Sequence, residues 1–322
     1  MASDESFQCR DNAKGILNNK EDGQMADWLK GRVALITGSG RGIGRAIALG
    51  MAEEGARVVT NDCDPEVAEA VAKEITDQGG KAISFCGDVS VFNIARELMQ
   101  TAVDNFGRLD ILVNNAGIAE GGNPIWEMTE EAWDRMISVH LKGSFNCTRH
   151  AVGIMKQQGW GRIINTTSPA RLGLFESCHY STAKAGLLGL TRTVALEVGN
   201  YGITCNVYAP VAATKGGPSE EAKVRLAEQY RSGLLTKELY ERRLNPPPPE
   251  AIPPLIIYLC TDEAADISGQ VFYIRACQEI HIFKEETKNS VAKDGFFTVE
   301  ELVEMVPKVL LHGIESKLLV SS

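Results

Sequence analysis

Short apolar segments alternate with longer segments of helical periodicity along most of the chain, from residue 32 to about residue 282. Each apolar segment has the length and the β-favouring composition of a buried strand. The segments lie at residues 33–37, 56–60, 82–85, 109–114, 161–166, 203–207 and 270–274. This alternation predicts an α/β fold, in which a parallel sheet carries helices on both of its faces.

The two ends of the chain depart from this pattern and set the predicted domain boundaries. Residues 1–28 are polar and mixed in charge, so we interpret them as an N-terminal extension, and residues 29–282 form a single domain. Within that domain, residues 211–249 are an insertion that ends in a run of prolines. Residues 283–322 form a tail, in which residues 298–306 predict a short capped amphipathic helix.

Composition and charge exclude several classes of protein. The 322 residues are 44% hydrophobic and carry a formal net charge of −9, with no stretch rich in Lys and Arg, which argues against nucleic-acid binding. The sequence contains no run of about 18 apolar residues, so it predicts no membrane span. The eight cysteines and five histidines are scattered without the spacing of metal ligands. We therefore predict no metal and a reduced, cytoplasmic protein.

A glycine-rich turn follows the first strand. Residues 37–44 follow the pattern T-G-x-x-x-G-x-G, and residues 45–54 then show helical periodicity up to Gly55. A strand, a glycine turn and a helix N-terminus form a phosphate cradle, because glycines let the backbone approach a ligand and the helix offers free N–H groups. The turn predicts a dinucleotide site at Gly38, Arg41, Gly42, Ile43 and Gly44.

Asp62 bears on the choice between NAD and NADP. It follows the second strand, where a carboxylate can accept hydrogen bonds from the adenosine ribose and repel a 2′-phosphate. Arg41 argues more weakly in the other direction, since a guanidinium in the glycine turn can reach a 2′-phosphate. A second interpretation makes Asp62 the cap of the next helix. We predict NAD.

Tyr180 and Lys184 are four residues apart, which places them on one face of a helix. A lysine ammonium beside a phenol favours the phenolate, so we expect the pKa of Tyr180 to fall from about 10 toward neutral pH. Such a tyrosine can act as a general acid or base. The pair occurs often by chance, and it predicts catalysis only in combination with a nucleotide-binding turn.

Four motifs occur in order along the chain: the glycine turn, Asp88-Val89, residues 114–117 and Tyr180-x-x-x-Lys184. Together they resemble the short-chain dehydrogenase/reductase family, over about residues 29–282. The resemblance implies a Rossmann-like doubly wound sheet and hydride transfer between a nicotinamide and a carbinol carbon. It implies that Tyr180 is the acid/base, and that Lys184 holds the nicotinamide ribose and lowers the tyrosine pKa. The other implied contacts are Asp88 and Val89 beside the adenine, Asn115, Ala116 and Gly117 beside the cofactor, Ser168 on the substrate oxygen and Thr214 on the carboxamide.

Three departures from the family pattern affect the site. Ser168 stands 12 residues before Tyr180, whereas the family's serine stands 13 before it, where this chain has Thr167. We assign the catalytic hydroxyl to Ser168, with Thr167 as the alternative. His140 replaces an asparagine that holds a relay water in the family, and it is included among the catalytic residues because imidazole can do the same. The usual Pro-Gly pair before Thr214 is absent.

Residues 140–145, 209–212 and 268–272 resemble the (3R)-hydroxyacyl-CoA dehydrogenase part of peroxisomal multifunctional enzyme type 2 and its bacterial relatives, which include dehydrogenases of aryl-substituted succinyl-CoA. This resemblance implies a CoA thioester as the small-molecule substrate. Residues 211–246 carry seven basic and five acidic residues, which suits a lid over an anionic substrate. A solvated helical insertion of mixed charge is the alternative.

The leading hypothesis is an NAD(H)-dependent dehydrogenase of secondary alcohols. The alternative is a catalytically silent subunit that partners an active paralogue, which the shortened Ser168–Tyr180 spacing suggests. A sugar epimerase would need another glycine spacing. The family implies a homo-oligomer, a dimer or tetramer, or a heteromer with a related chain, formed by the helices that carry residues 123–156 and 177–199.

Overall fold

The computed structural model describes residues 27–119, 122–213, 220–233, 235–275 and 277–314, which form an eight-stranded sheet with helices on both faces. The strands are β1 Val33–Ile36, β2 Arg57–Asp62, β3 Lys81–Cys86, β4 Ile111–Asn114, β5 Gly161–Thr166, β6 Ile203–Val211, β7 Val271–Arg275 and β8 Glu279–Phe283. Their order in the sheet is β3-β2-β1-β4-β5-β6-β7-β8. The predicted Rossmann-like α/β fold is confirmed.

The strand order reverses direction between β1 and β4. β1 pairs with β2 on one side and with β4 on the other, all in parallel. Ligands of doubly wound sheets bind at such a reversal, outside the carboxyl ends of the strands. The glycine turn after β1 and the segment after β4 therefore meet where a ligand is expected.

The helices follow the strands in the predicted alternation. They are α1 Gly42–Glu53, α2 Pro65–Asp77, α3 Phe92–Phe106, α4 Glu130–Ile137, α5 Gly143–Gln158, α6 Cys178–Val198, α7 Glu220–Arg231, α8 Lys237–Leu244, α9 Pro253–Tyr258 and α10 Val299–Met305. Short 3₁₀ turns lie at Ile125–Glu127, Pro169–Leu172, Gly199–Tyr201 and Pro249–Ala251, and π-helical turns at Ser138–Lys142 and Val306–Leu310.

Two apolar clusters bury the two faces of the sheet. Successive residues of β1 show the division: Ala34 and Ile36 belong to the cluster with α1 and α9, whereas Val33 and Leu35 belong to the cluster with α3, α5 and α6. All four side chains are buried. This explains why the strand reads as a continuous apolar run, since successive side chains of a strand point to opposite faces.

β8 was not predicted, and it makes the sheet mixed. It pairs antiparallel with β7, with Val271 opposite Phe283 and Arg275 opposite Glu279. The strand lies at the edge and most of its side chains are exposed, so its residues lack the continuous apolar signal of the buried strands. The predicted helix of the tail is observed as α10, where Thr298 and Glu301 form a capping box.

The predicted boundaries between extension, domain and tail stay predictions. Leu29 is fully buried, and its backbone N–H donates to the Glu54 carbonyl, so this residue belongs to the core. No residue of α10 is buried. Residues 1–26 lie outside the described residues.

Candidate active site

The backbone of the glycine turn packs so closely against its neighbours that Gly38 and Gly44 leave no room for a side chain. Gly38 has φ +61°, and a Cβ there would lie 2.7 Å from the Ala116 Cα; a Cβ on Gly44 would collide with the Gly38 carbonyl. The N-cap of α1, Arg41, makes no side-chain capping bond, so the helix N-terminus keeps free N–H groups for an anion. Gly42 adopts φ +54°, which favours glycine. These features fit the pyrophosphate of a dinucleotide.

A set of hydrogen bonds ties the turn to the end of β4. The Thr37 hydroxyl accepts bonds from the N–H groups of Asn115 and Ala116, both at 3.0 Å. The Asn115 side chain donates to the carbonyls of Thr37 and Gly38, also at 3.0 Å. Asn115 and Ala116 therefore fix the position of the glycine turn through these hydrogen bonds to Thr37 and Gly38. Thr37 was not among the predicted site residues, although it opens the glycine motif.

Asp62 lies at the carboxyl end of β2, directly beside the glycine turn. Its carboxylate accepts bonds from the N–H groups of Gly40 and Asp64, both at 3.3 Å. The N-cap of α2 is Asp64, whose side chain accepts from the Glu66 N–H, so the interpretation of Asp62 as the helix cap is wrong. Asp64 also forms an ion pair with Arg41, at 2.9 Å.

Residues after β3 are fixed against α5. The exposed Asp88 accepts a bond from the Ser90 N–H, at 2.8 Å. Val89 is buried, and the Asn146 side chain donates to its carbonyl at 2.9 Å. Of the two residues predicted to lie beside the adenine, Asp88 is therefore exposed and Val89 is buried.

Tyr180 and Lys184 lie one turn apart near the start of α6. The Lys184 ammonium is buried and donates to the Thr166 carbonyl, at 2.7 Å. The Thr167 hydroxyl is buried too and donates to the backbone carbonyl of Lys184, at 2.6 Å. The Ser168 hydroxyl accepts a bond from the Ala170 N–H, at 3.2 Å, and it lies close enough to Tyr180 to lower the pKa of that phenol. Of the two candidate hydroxyls, Thr167 is thus occupied by the helix backbone and Ser168 lies at the tyrosine.

The pKa of Tyr180 departs from expectation. Burial raises it, and the nearby Ser168 hydroxyl opposes that rise; the expectation that Lys184 lowers it is wrong for this structure. The reason is geometric, since the Lys184 Nζ lies 5.7 Å from the centre of the tyrosine ring and is directed at the Thr166 carbonyl. Burial lowers the pKa of Lys184 itself to about 7.

His140 joins the two halves of the site. Its ring meets the Tyr180 ring edge-on, with centroids 5.3 Å apart, and a Cβ on Gly117 would lie 2.5 Å from the His140 Cε1. The His140 Nε2 contacts the backbone N–H of Ile118 at 3.1 Å, while Nδ1 is buried and has no partner among the described residues. Burial, with the nearby charge of Lys184, lowers the pKa of His140 to about 3, so the imidazole is neutral.

Three of the basic side chains in the insertion are paired with carboxylates, so their positive charges are partly compensated. Lys223 pairs with Glu220 at 2.6 Å, Lys237 with Glu241 at 3.8 Å, and Arg242 with Glu279 of β8 at 2.5 Å. These pairs support the alternative of a solvated helical insertion of mixed charge. Thr214 lies outside the described residues.

The described residues contain neither a metal site nor a membrane-spanning helix. Within the described ranges, no group of three His, Cys, Asp or Glu side chains is arranged to hold a metal ion. No helix in the part of the chain that the structure describes is long and apolar enough to cross a membrane.

The chain belongs to the short-chain dehydrogenase family, whose model, described as short chain dehydrogenase, matches residues 32–220. It is 37% identical over 246 residues to the (2S)-[(R)-hydroxy(phenyl)methyl]succinyl-CoA dehydrogenase subunit BbsD of Thauera aromatica, covering 76% of this chain and 96% of that one. It is 38% identical over 246 residues to the peroxisomal multifunctional enzyme type 2 of Drosophila melanogaster, covering 73% of this chain and 38% of that longer protein.

The solved structures agree with this assignment. A short chain dehydrogenase from Mycobacterium avium superposes with a TM-score of 0.74 at 36% sequence identity, covering 88% of this chain and 95% of that one. The resemblances to the dehydrogenase family, to the multifunctional enzyme and to a bacterial aryl-succinyl-CoA dehydrogenase are confirmed. The chain is an oxidoreductase of a family that uses nicotinamide cofactors.

Proposed function

We propose that this chain is an NAD(H)-dependent dehydrogenase that interconverts the secondary alcohol of a 3-hydroxyacyl-CoA and the corresponding ketone. One observation carries the proposal: the glycine turn and the Ser168–Tyr180–Lys184 cluster lie at the same edge of the sheet, joined through Gly117 and His140. The glycine turn would hold the dinucleotide, and the cluster would hold the substrate oxygen.

The residues of the chain divide the chemistry between them. A bound nicotinamide would accept a hydride from the carbinol carbon. Ser168 and Tyr180 would both bond the substrate oxygen, and Tyr180 would take the hydroxyl proton as the ketone forms while it passes its own phenolic proton on. Lys184 supplies positive charge beside the site, and its pKa of about 7 lets it hold or release a proton near neutral pH.

His140 is proposed as part of the proton route from this cluster. Its imidazole is neutral, and its buried Nδ1 has no partner among the described residues, so it can hold a water molecule or pass a proton. In this role it takes the place of the family's asparagine.

The preference for NAD is proposed from the surroundings of Asp62. Its carboxylate lies where the adenosine ribose of a dinucleotide is expected, beside the N–H of Gly40. Arg41, which argued for NADP, is held by Asp64 and is partly neutralised there. Both side chains of that pair are exposed, so the pair is weak, and the proposed preference for NAD rests on the carboxylate of Asp62.

The thioester substrate is proposed from similarity. The Thauera aromatica relative is named as a subunit of a (2S)-[(R)-hydroxy(phenyl)methyl]succinyl-CoA dehydrogenase. We also propose assembly through α5 and α6, where Phe145 and Leu196 are 46% and 85% exposed, and a cytoplasmic location, which the scattered single cysteines favour.

The test is a substrate panel on the isolated chain. 3-Hydroxyacyl-CoA thioesters and simple secondary alcohols are offered with NAD and with NADP, and reduction of the cofactor is followed by absorbance. We expect turnover of the thioesters with NAD. If the chain binds NAD but turns over none of these substrates, and gains activity only when mixed with a related subunit, the catalytically silent alternative is correct.

A further inference from the structure

Arg171 is a buried arginine beside the proposed catalytic serine. It lies in the 3₁₀ turn Pro169–Leu172, which begins directly after Ser168. The side chain is 9% exposed. Its Nη1 donates to the Ser168 backbone carbonyl at 3.3 Å, and its Cζ lies 4.7 Å from the centre of the Phe283 ring.

The guanidinium is poorly compensated for a buried charge. It carries five N–H donors, and among the described residues it has one hydrogen bond and one aromatic face. No carboxylate among the described residues lies within ion-pair distance of it. Burial without an opposing charge lowers the pKa of Arg171. Buried charges are ordinarily paired, because the protein interior solvates an unpaired charge far less well than water does.

The surroundings of Arg171 are apolar and open. Leu172, Leu174 and Phe175 are 71%, 52% and 60% exposed, and Phe283 on β8 is 43% exposed. The loop is pinned across the start of α6, since the Leu174 N–H bonds to the Ser181 hydroxyl at 3.0 Å. A ligand that occupies this surface has apolar contacts on its rim and one buried cation near the reacting centre.

We propose that Arg171 binds a free carboxylate that the substrate carries within a few bonds of its carbinol carbon. The preferred substrates are then 3-hydroxyacyl thioesters with a second carboxylate, as a substituted succinyl-CoA has. This inference rests on the proposed function and makes its substrate class specific. The subunit from Thauera aromatica is named for such a compound.

The phosphates of CoA are a second source of negative charge, and the position of Arg171 argues against them. Its guanidinium bonds to the backbone of Ser168 itself, whereas the phosphates lie at the far end of the pantetheine arm from the thioester. A planar guanidinium also matches a carboxylate in a two-bond geometry.

The experiment measures binding, so it does not depend on turnover. 2-Benzylsuccinyl-CoA and 3-phenylpropanoyl-CoA share the CoA and phenyl groups, differ in the carboxymethyl branch, and lack the hydroxyl that is oxidised. Their dissociation constants are measured by calorimetry on the full chain. We expect the succinyl compound to bind roughly tenfold to a hundredfold tighter, the range of a charge-assisted hydrogen bond.

Variants test whether Arg171 causes this ratio of the two dissociation constants. Arg171→Met should bring the ratio close to one, and Arg171→Lys should keep part of it. Arg242→Gln is the matched control, because it removes another cation anchored to β8 at an exposed pair, and it should leave the ratio unchanged.

Three outcomes overturn the inference. One is a ratio near one in the wild type, and another is a ratio that Arg171→Met leaves intact. The third is an equal loss of affinity for both ligands in Arg171→Met, which would mark a purely structural arginine or a contact with the CoA phosphates. Failure of the substrate panel with this ratio intact would refute the proposed oxidation alone.

Discussion

Replacing Lys184 by methionine should stabilise the protein at neutral pH while it removes activity. Lys184 is 4% exposed, and within the described residues its ammonium has one hydrogen bond, to the Thr166 carbonyl. Burial lowers its pKa from 10.5 to about 7. At about 1.36 kcal/mol for each pKa unit, the charge costs the folded state about 4 kcal/mol at pH 7.

Methionine fills a similar volume without the cost of burying a charge. It cannot donate a hydrogen bond, however, so the Thr166 carbonyl loses the bond from the Lys184 ammonium. Loss of this bond costs roughly 1–3 kcal/mol, so the net gain in unfolding free energy at pH 7 should be roughly 1–3 kcal/mol. Turnover should fall sharply, since Lys184 is proposed to hold the cofactor ribose. A catalytic group that destabilises its own fold is expected at an active site.

The pH dependence identifies the cause. Between pH 7 and pH 10.5 the unfolded chain binds more protons at residue 184 than the folded chain does, so wild-type stability rises with pH in this window. Below pH 7 both states are protonated and the cost is complete. The stability advantage of Lys184→Met should therefore shrink by about 2 kcal/mol between pH 7 and pH 9.

Urea denaturation at the two pH values measures these differences. Lys142→Met is the control, because Lys142 is exposed and its charge is already solvated, so its effect on stability should not change between the two pH values. A Lys184→Met variant that is less stable at pH 7, or whose advantage is the same at pH 9, would refute this account of the buried ammonium.

Three other predictions concern catalysis and cofactor choice. Tyr180→Phe should lower turnover roughly 100- to 10,000-fold with cofactor binding preserved, as steady-state kinetics and a fluorescence titration would measure; near wild-type turnover contradicts the proposed acid/base. Ser168→Ala should cost far more activity than Thr167→Ala, which removes a bond to helix backbone; the reverse ranking in the same assay assigns the hydroxyl to Thr167. Asp62→Ala should weaken NAD binding about tenfold or more and narrow the preference over NADP; unchanged affinities for both would point to Arg41 instead.

The sequence alone was sufficient to predict the sheet and the cofactor turn. Buried parallel strands read as continuous apolar runs, and the predicted bounds of β5 coincide with the observed Gly161–Thr166. The glycine motif could also be recognised in the sequence. The backbone of Gly38 lies so close to that of Ala116 that no residue with a Cβ fits there, so the position requires glycine. β8 was missed because an exposed edge strand needs no such run.

The assignments that depend on where a side chain points required the tertiary structure. Spacing alone left Ser168 and Thr167 open, and the fold separates them by turning the Thr167 hydroxyl to the Lys184 carbonyl. The sequence expectation for the Tyr180 pKa was wrong, because helical spacing places Lys184 near the ring but does not decide that its ammonium is directed at Thr166.

Arg171 shows the same division most plainly. In the sequence it is one arginine among others, with nothing to distinguish it from a solvated surface residue. Only the packing of the 3₁₀ turn against α6, with Phe283 of β8 beside the guanidinium, buries it next to Ser168 without a carboxylate among the described residues. Sequence patterns record which positions are buried or close to backbone, since those select residue types locally; charge partners come from segments far apart in the chain, and the tertiary fold alone decides which of them meet.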